Sequence, residues 1–165
     1  MIGVFYGSST GNSEKVAEKI VHAFGTENAI SLNVEDASEK DLKKFKYLVF
    51  GTSTWGIGDM QDDWEEFIQV VEKVGLKNKK VALFGLGDQE IYSDSFVDGM
   101  SKIFNRIKNI TNVVGFWPRE GYLFDRSDSL VDDKFVGLVL DEDNQSGLTD
   151  ERVKGWVAIL KKEFV

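Results

Sequence analysis

Apolar residues in this chain occur in two alternating arrangements, short continuous runs and longer stretches in which they recur every three or four positions. The short runs lie at residues 2–6, 29–34, 47–50 and 81–84. The periodic stretches lie at residues 14–24, 39–45, 64–74 and 96–107. A short apolar run is typical of a strand buried on both faces, whereas the longer periodic stretches are typical of amphipathic helices. Repeated strand–helix units predict a parallel sheet with helices on both faces, because crossover connections are right-handed.

The last third of the chain departs from this alternation. A fifth apolar run at 113–117 ends at Pro118, and a polar segment at 119–134 separates it from a further run at 135–140. We interpret the two runs as halves of one split strand and 119–134 as an insertion in it. A last helix is expected to follow Thr149 as its N-cap. The 165 residues suffice to bury about 70% of the surface of the unfolded chain, and we expect a single domain over 1–165.

The segment between the first strand and the first helix is rich in hydroxyl and glycine residues. It contains Ser8, Ser9, Thr10, Gly11, Asn12 and Ser13. The first turn of a helix has free backbone N–H groups and a partial positive charge, so a phosphate can bind there. Gly7 and Gly11 permit a tight turn and a close approach to a ligand. The segment therefore predicts a monophosphate site, with an ordinary strand–helix turn as the alternative.

Two other phosphate-binding loops do not fit this sequence. A P-loop requires a lysine after its second glycine, but Gly11 is followed by Asn12 and Ser13. A dinucleotide fingerprint requires three glycines in the pattern G-x-G-x-x-G, and the pairs at 56–58 and 85–87 each lack the third. The sequence therefore argues against a nucleoside triphosphate and against NAD in the Rossmann mode.

Composition narrows the chemistry that the chain can perform. It contains no cysteine and one histidine, His22, which argues against thiolate chemistry and histidine metal clusters, and we predict no metal site. The 20 Lys and Arg against 28 Asp and Glu give a net charge of −8, which opposes binding to nucleic acid or anionic lipid and favours basic protein partners. Residue 1 leads directly into the first strand, and no apolar run approaches the roughly 18 residues of a membrane helix. We expect a cytoplasmic protein.

Ligands of a doubly wound sheet bind beyond the carboxyl ends of its strands, beside the point where the strand order reverses. The third strand is followed by a segment at 53–59 that contains Trp55, and the fourth by a segment at 87–92 that ends in Tyr92. A phosphate site flanked by two large aromatic side chains suits a flat ring that a short polar chain joins to a phosphate. Flavin mononucleotide (FMN) has that form.

The motifs of these loops resemble those of the bacterial flavodoxins, and the insertion at 119–134 resembles that of their long-chain subgroup. The motifs are Ser8-x-Thr10-Gly11-x-Ser13, Thr54-Trp55-Gly56, Gly87-Asp88-Gln89 with Tyr92, and the runs 135–138 and 140–145. They cover essentially the whole chain in the order found in that family. The resemblance implies a three-layer α/β sandwich with a five-stranded parallel sheet of order 2-1-3-4-5. It also implies a low-potential electron carrier with non-covalent FMN that cycles between semiquinone and hydroquinone and shuttles electrons between redox enzymes.

The resemblance also implies the residues that bind FMN. They are Ser8, Ser9, Thr10, Gly11, Asn12, Ser13, Ser53, Thr54, Trp55, Gly56, Gly58, Leu86, Gly87, Asp88, Gln89, Tyr92 and Asp143. Trp55 and Tyr92 are expected on opposite faces of the ring. Asp88 and Gln89 are expected to bond its pyrimidine edge, with capping of the next helix as the alternative for Asp88. Asp143 is expected near the ribityl chain or as a solvated loop acid.

An acidic stretch next to Trp55 bears on the choice of partners. It comprises Asp59, Asp62, Asp63, Glu65 and Glu66. These acids stabilise a helix N-terminus through its dipole. They can also steer a basic redox protein, such as an NADPH-dependent flavodoxin reductase or a 2-oxoacid oxidoreductase, to this chain, which we expect to be a monomer. A flavin enzyme such as a quinone reductase is one alternative, but a stacked Tyr92 blocks its substrate pocket. A phosphorylated receiver is another, but it requires several acids where Tyr6-Gly7-Ser8 stands.

Overall fold

A twisted parallel sheet forms the centre of the computed structural model, which describes residues 1–165. The strands are β1 (Ile2–Tyr6), β2 (Ala29–Asn33), β3 (Tyr47–Trp55), β4 (Asp59–Met60), β5 (Lys80–Leu86), β6 (Asn112–Val114), β7 (Trp117–Pro118), β8 (Leu130–Val131), β9 (Lys134–Phe135) and β10 (Leu138–Leu140). The helices are α1 (Asn12–Phe24), α2 (Glu39–Lys44), α3 (Asp62–Val74), α4 (Asp98–Ile107) and α5 (Thr149–Glu163).

The order of the strands in this sheet is β2-β1-β3-β5-β10. Strand β6 pairs with residues 80–82 of β5, and β10 pairs with residues 84–86 of the same strand. Strands β6 and β10 therefore follow one another along one edge of β5, as expected for two halves of a split strand. Counted in this way, the observed order confirms the predicted order 2-1-3-4-5.

The two apolar runs that flank the insertion are shorter as strands than the sequence indicates. Strand β6 ends at Val114, because Gly115 with φ of 78° turns the chain away from the sheet. Residues 117–118 then pair with β9, and β9 pairs with β8 in a separate antiparallel sheet. At Gly137 the chain returns to β5 so closely that a Cβ atom would lie 2.1 Å from the carbonyl oxygen of Leu83.

Hydrophobic residues pack on both faces of the sheet. Strand β1 directs Phe5 towards α2, α3 and α4, and Val4 towards α1 and α5. Trp64 belongs to the first cluster and Trp156 to the second, and both are fully buried. Both tryptophans are core residues, and burial of one large side chain contributes about 1.5–3 kcal/mol to folding. The two clusters cover the two faces of the sheet.

The start of the last helix differs from the prediction by one residue. A 3₁₀ turn at Ser146–Leu148 runs directly into α5, so Leu148 takes the N-cap position and Thr149 is the first helical residue. The Thr149 hydroxyl donates to the carboxylate of Glu142 instead of capping the helix. None of the helices combines the length and apolarity needed to cross a membrane.

Candidate functional site

An open cavity of about 330 Å³ lies at the carboxyl ends of the parallel strands. It is bounded by the loop after β1, the end of β3, the loop after β5 and the loop after β10. The strand order reverses between β1 and β3, so the cavity lies where ligands bind in this class of sheet. Its lining residues are Thr10, Asn12, Ser53, Thr54, Trp55, Gly56, Leu86, Gly87, Asp88, Tyr92, Glu142 and Asp143.

The sequence-predicted site residues divide into two groups. All but one of the residues that line the cavity were predicted, and the exception is Glu142. Outside the lining lie Ser8, Ser9, Gly11, Ser13, Gly58 and Gln89. Glu142 was detectable only as part of the acidic run that follows the last strand of the sheet.

The loop after β1 forms one end of the cavity. Gly11, with φ of 91°, precedes the first residue of α1, and its N–H donates to the Ser8 hydroxyl at 2.9 Å. The Ser9 hydroxyl oxygen accepts from the side-chain amide of Gln61 at 3.1 Å. Ser13 in the first turn of α1 is buried, and its hydroxyl has no hydrogen-bond partner. An unpartnered buried hydroxyl beside free helix N–H groups is suited to an anion.

Two exposed aromatic side chains line the other part of the cavity. Trp55 is 39% exposed and Tyr92 is 53% exposed, although large aromatic side chains are ordinarily buried. Trp55 is the last residue of β3 and pairs with Asp59 of β4, so it lies in a hairpin and not in an irregular loop. Its indole N–H donates to the Ser53 hydroxyl at 2.6 Å, which fixes the orientation of the ring. These aromatic surfaces can contact a flat ligand.

The turn of this hairpin comprises residues 56–58, and its two glycines have different surroundings. Gly56 has φ of 54°, lines the cavity and has open space around it except for the Asp59 carboxylate. Gly58 has φ of 89° and is buried against Asp98 of α4. Both positions require positive φ, which glycine adopts at little cost. Gly58 therefore packs the turn against α4 and does not line the cavity.

Asp88 is held in place by three hydrogen bonds from its own turn and from the loop after β10. Its carboxylate accepts from the backbone N–H groups of Glu90 and Ile91, both at 3.0 Å, and from the Asn144 amide at 2.8 Å. Burial acts to raise the pKa of Asp88, but these hydrogen bonds outweigh it and lower the pKa below its usual value. The Asp88 carboxylate therefore caps its own turn while it lines the cavity.

The side chain of Gln89, which was expected to bond the ring, does not line the cavity and is directed into the protein. Gln89 is 5% exposed, and its amide nitrogen donates to Asp141 at 2.7 Å. Its amide oxygen accepts from the backbone N–H of Leu123 at 2.7 Å. Both polar ends of the side chain are therefore occupied inside the protein, and Gln89 positions the loop after β5.

Asp141, at the end of β10, joins the two loops that carry Asp88 and Asp143. This carboxylate is completely buried and accepts four hydrogen bonds. The N–H and the amide of Gln89 donate at 3.1 and 2.7 Å, and the N–H and the amide of Asn144 donate at 3.0 and 2.9 Å. This role of Asp141 is not visible in the local sequence, because the bonds connect residues that are up to 52 positions apart.

The cavity has a negative electrostatic character. Asp88, Glu142 and Asp143 line it, and no lysine or arginine does. Burial raises the pKa of Asp143, and the nearby carboxylates of Asp88, Asp141 and Glu142 raise it further. An anion at the α1 end must therefore be bound by N–H groups and hydroxyls, and additional negative charge elsewhere in the cavity is disfavoured.

The comparisons with known proteins all indicate the same family. A family model described as flavodoxin matches residues 4–156. The flavodoxin of Synechococcus elongatus is 44% identical over 99% of this chain and 97% of its own, and that of Helicobacter pylori is 43% identical over 99% of this chain and 98% of its own. The crystal structure of Fusobacterium nucleatum flavodoxin bound to flavin mononucleotide has a TM-score of 0.93 and 29% identity, and covers 98% of this chain and 97% of its own.

Proposed function

The chain belongs to the flavodoxin family, and on that basis we propose that it shuttles single electrons at low potential between redox enzymes. Its cofactor is FMN, and it is an electron-transfer protein and not an enzyme. Bound FMN supplies the redox chemistry, because its ring accepts and releases one electron at a time. The protein contributes binding, orientation and the electrostatic environment of that ring.

The proposed FMN site rests on a cavity that is lined by Thr10, Asn12 and two exposed aromatic side chains, with the buried and unpartnered Ser13 hydroxyl in the helix turn next to it. We propose that the loop at 8–13 holds the phosphate of FMN. Helix N–H groups, the helix dipole and hydroxyls suit this phosphate in the absence of a basic side chain. Trp55 and Tyr92 hold the ring. The cavity of about 330 Å³ lies in the usual range for cofactor sites, which is about 300–1,000 Å³.

Low potential is proposed from the charges that line the cavity. Asp88, Glu142 and Asp143 line the cavity of a protein of net charge −8, and a second electron on FMN bound there would add negative charge near them. Like charges at short distance disfavour one another, most strongly where water is excluded. No cationic side chain lines the cavity to offset this cost. The carboxylates therefore lower the second potential and separate the two one-electron steps.

A redox titration of the FMN-loaded protein tests this function. We expect two separate one-electron stages in the visible spectrum during stepwise reduction, with the second stage at the lower potential. Stoichiometric binding of FMN should precede this result. A protein that does not bind FMN, or that accepts both electrons in a single step, would contradict the proposal.

The proposed partners are basic redox proteins such as an NADPH-dependent flavodoxin reductase or a 2-oxoacid oxidoreductase. We propose that the carrier is a cytoplasmic monomer and that it binds neither nucleic acid nor a membrane. The acidic stretch beside the Trp55 hairpin supports them. Asp62, Glu65 and Glu66 are exposed at the start of α3. Asp63 differs, because its carboxylate accepts from the Gln61 amide at 2.8 Å. The three exposed acids are therefore free to attract a basic partner.

Neutralising Asp62, Glu65 and Glu66 to amides should slow electron transfer from a basic reductase about tenfold at low ionic strength, because charge steering raises association rates about 10–10³-fold. FMN affinity should not change. Stopped-flow rates across a salt series measure the effect, and the variant should show a flatter salt dependence. The matched control replaces Glu18, Glu27 and Glu151, exposed acids on the α1 and α5 side, and should lose much less. Equal losses in both triple variants would place the docking surface elsewhere.

A further inference from the structure

Residues 125–129 of the insertion, here called the bracing segment, lie against the connection between β5 and α4. The backbone N–H groups of Asp125 and Arg126 donate to the Ser93 carbonyl at 3.0 and 2.9 Å. The Ser93 hydroxyl donates to the Asp125 carboxylate at 2.9 Å. Ser93 directly follows Tyr92, which lines the cavity. The bracing segment therefore fixes the backbone next to one of the two exposed aromatic residues.

The same segment supports the residues that lead into α4. The Ser127 hydroxyl donates to the Phe96 carbonyl at 2.6 Å, and the buried Ser129 hydroxyl donates to the Val97 carbonyl at 2.7 Å. Val97 has φ of 50° and ψ of 27°, a left-handed conformation that a β-branched residue adopts only under strain. The surrounding structure must hold such a residue in place. The Ser129 hydroxyl is one of the groups that hold Val97 in place.

Asp98, the first residue of α4, connects the bracing segment to the Trp55 hairpin. It is 6% exposed, and its carboxylate accepts from the backbone N–H of Asp128 at 2.7 Å. On its other side it contacts the 56–58 turn so closely that a Cβ atom at Gly58 would lie 3.0 Å from the Asp98 Cβ atom. The next residue, Gly99, donates its N–H to the hydroxyl of Thr54, a cavity residue, at 3.0 Å. The start of α4 therefore packs directly behind the turn.

We propose that Asp98 is a positioning residue, through which the bracing segment sets the 56–58 turn and Tyr92 relative to each other around the ring of FMN. This inference rests on the proposed function of the cavity. The 56–58 turn contacts Asp98 at the start of α4, and the bracing segment bonds to Asp98 and to the β5–α4 connection that leads to it. A preorganised site loses less entropy when it binds its ligand, so a loosened Asp98 weakens ring binding. The phosphate end lies on another loop and is independent of Asp98.

The charge of Asp98 provides a second property that can be measured. Burial raises the pKa of Asp98, as does the Asp128 carboxylate, while the Asp128 N–H, Lys102 and Arg126 lower it, and the net shift is upward. An acid whose pKa is raised by folding makes the protein less stable as pH increases through that pKa. Asp98→Asn removes this penalty and retains an acceptor for the Asp128 N–H. Its apoprotein should therefore be at least as stable as the wild type at pH 7.

The test compares Asp98→Ala, Asp98→Asn and the control Asp94→Ala in the full chain. Asp94 is exposed on the same connection and makes no hydrogen bond through its side chain. We expect Asp98→Ala to weaken FMN and riboflavin by the same factor of about ten, the effect of one lost hydrogen bond to a charged group. The midpoint potential of the first one-electron step should also shift. The flavin affinities of Asp98→Asn should remain within about twofold of the wild-type values. Those of the control Asp94→Ala should equal the wild-type values.

A double-mutant cycle tests whether the bracing segment acts through Asp98. Ser127→Ala combined with Ser129→Ala should weaken both flavins equally, and Asp98→Ala should add less in that background than alone. If Asp98→Ala does not fold, the serine variant carries the same test. Unchanged flavin affinities and potentials in these variants would overturn the inference while wild-type FMN binding upholds the proposed function. A wild-type protein that does not bind FMN would instead overturn both.

Discussion

Replacing Asp141 with alanine is expected to lower the free energy of unfolding by about 2–6 kcal/mol, because the two buried donors of Gln89 lose their acceptor and each such donor costs about 1–3 kcal/mol. Four N–H donors of Gln89 and Asn144 lose their acceptor in this variant. The two loops joined by Asp141 carry Asp88 and Asp143, so FMN affinity should also fall by at least about tenfold. Urea unfolding of the apoprotein and fluorescence titration with FMN measure the two losses.

Asp141→Asn is the informative comparison for this carboxylate. The amide retains one oxygen acceptor, but its NH₂ group faces N–H donors that bonded to the second carboxylate oxygen. We therefore expect intermediate losses of stability and FMN affinity. Glu120→Ala removes an exposed acid of the insertion and should leave both measurements unchanged. If the Asp141→Ala variant had the same free energy of unfolding and the same FMN affinity as the wild type, the carboxylate would not join the loops.

Replacing Thr10 with valine and Ser13 with alanine together should weaken FMN by about a hundredfold or more, since a hydrogen bond to a charged group contributes about 1.5–3 kcal/mol. Riboflavin, which lacks the phosphate, should bind almost as it does to the wild type. The Ser13 hydroxyl has no partner in the protein, so its removal should not destabilise the apoprotein. Parallel titrations with FMN and riboflavin measure the difference between the two ligands.

Thr111→Val gives the opposite pattern and serves as the control. Its hydroxyl donates to the Lys79 carbonyl at 2.8 Å at the end of the sheet away from the cavity. We expect a loss of about 1 kcal/mol in unfolding free energy, the net value of one hydrogen bond, with unchanged FMN affinity. Equal losses of FMN and riboflavin in the Thr10 and Ser13 variant would show that these residues do not bind the phosphate.

The sequence patterns were sufficient to predict the parallel sheet and the loops that bound the cavity, whereas the order of the strands was implied by the resemblance to the flavodoxins. Apolar runs and helical periods report burial of each segment separately, and right-handed crossovers restrict how the segments assemble. Thr10, Trp55 and Tyr92 were found for a related reason. Each is close in sequence to a strand end, and the strand ends of a parallel sheet meet at one edge.

Tertiary structure alone decided how the side chains on those loops are directed. Gln89 turns inward because Asp141, 52 positions away, and Leu123, 34 positions away, satisfy both ends of its amide. Gly115 ends β6 where the local pattern indicates a continuous strand. Asp98 is buried because the bracing segment and the 56–58 turn both pack against it. Local patterns report which residues avoid water, whereas the direction of a polar side chain depends on partners that only the folded chain brings within hydrogen-bonding distance.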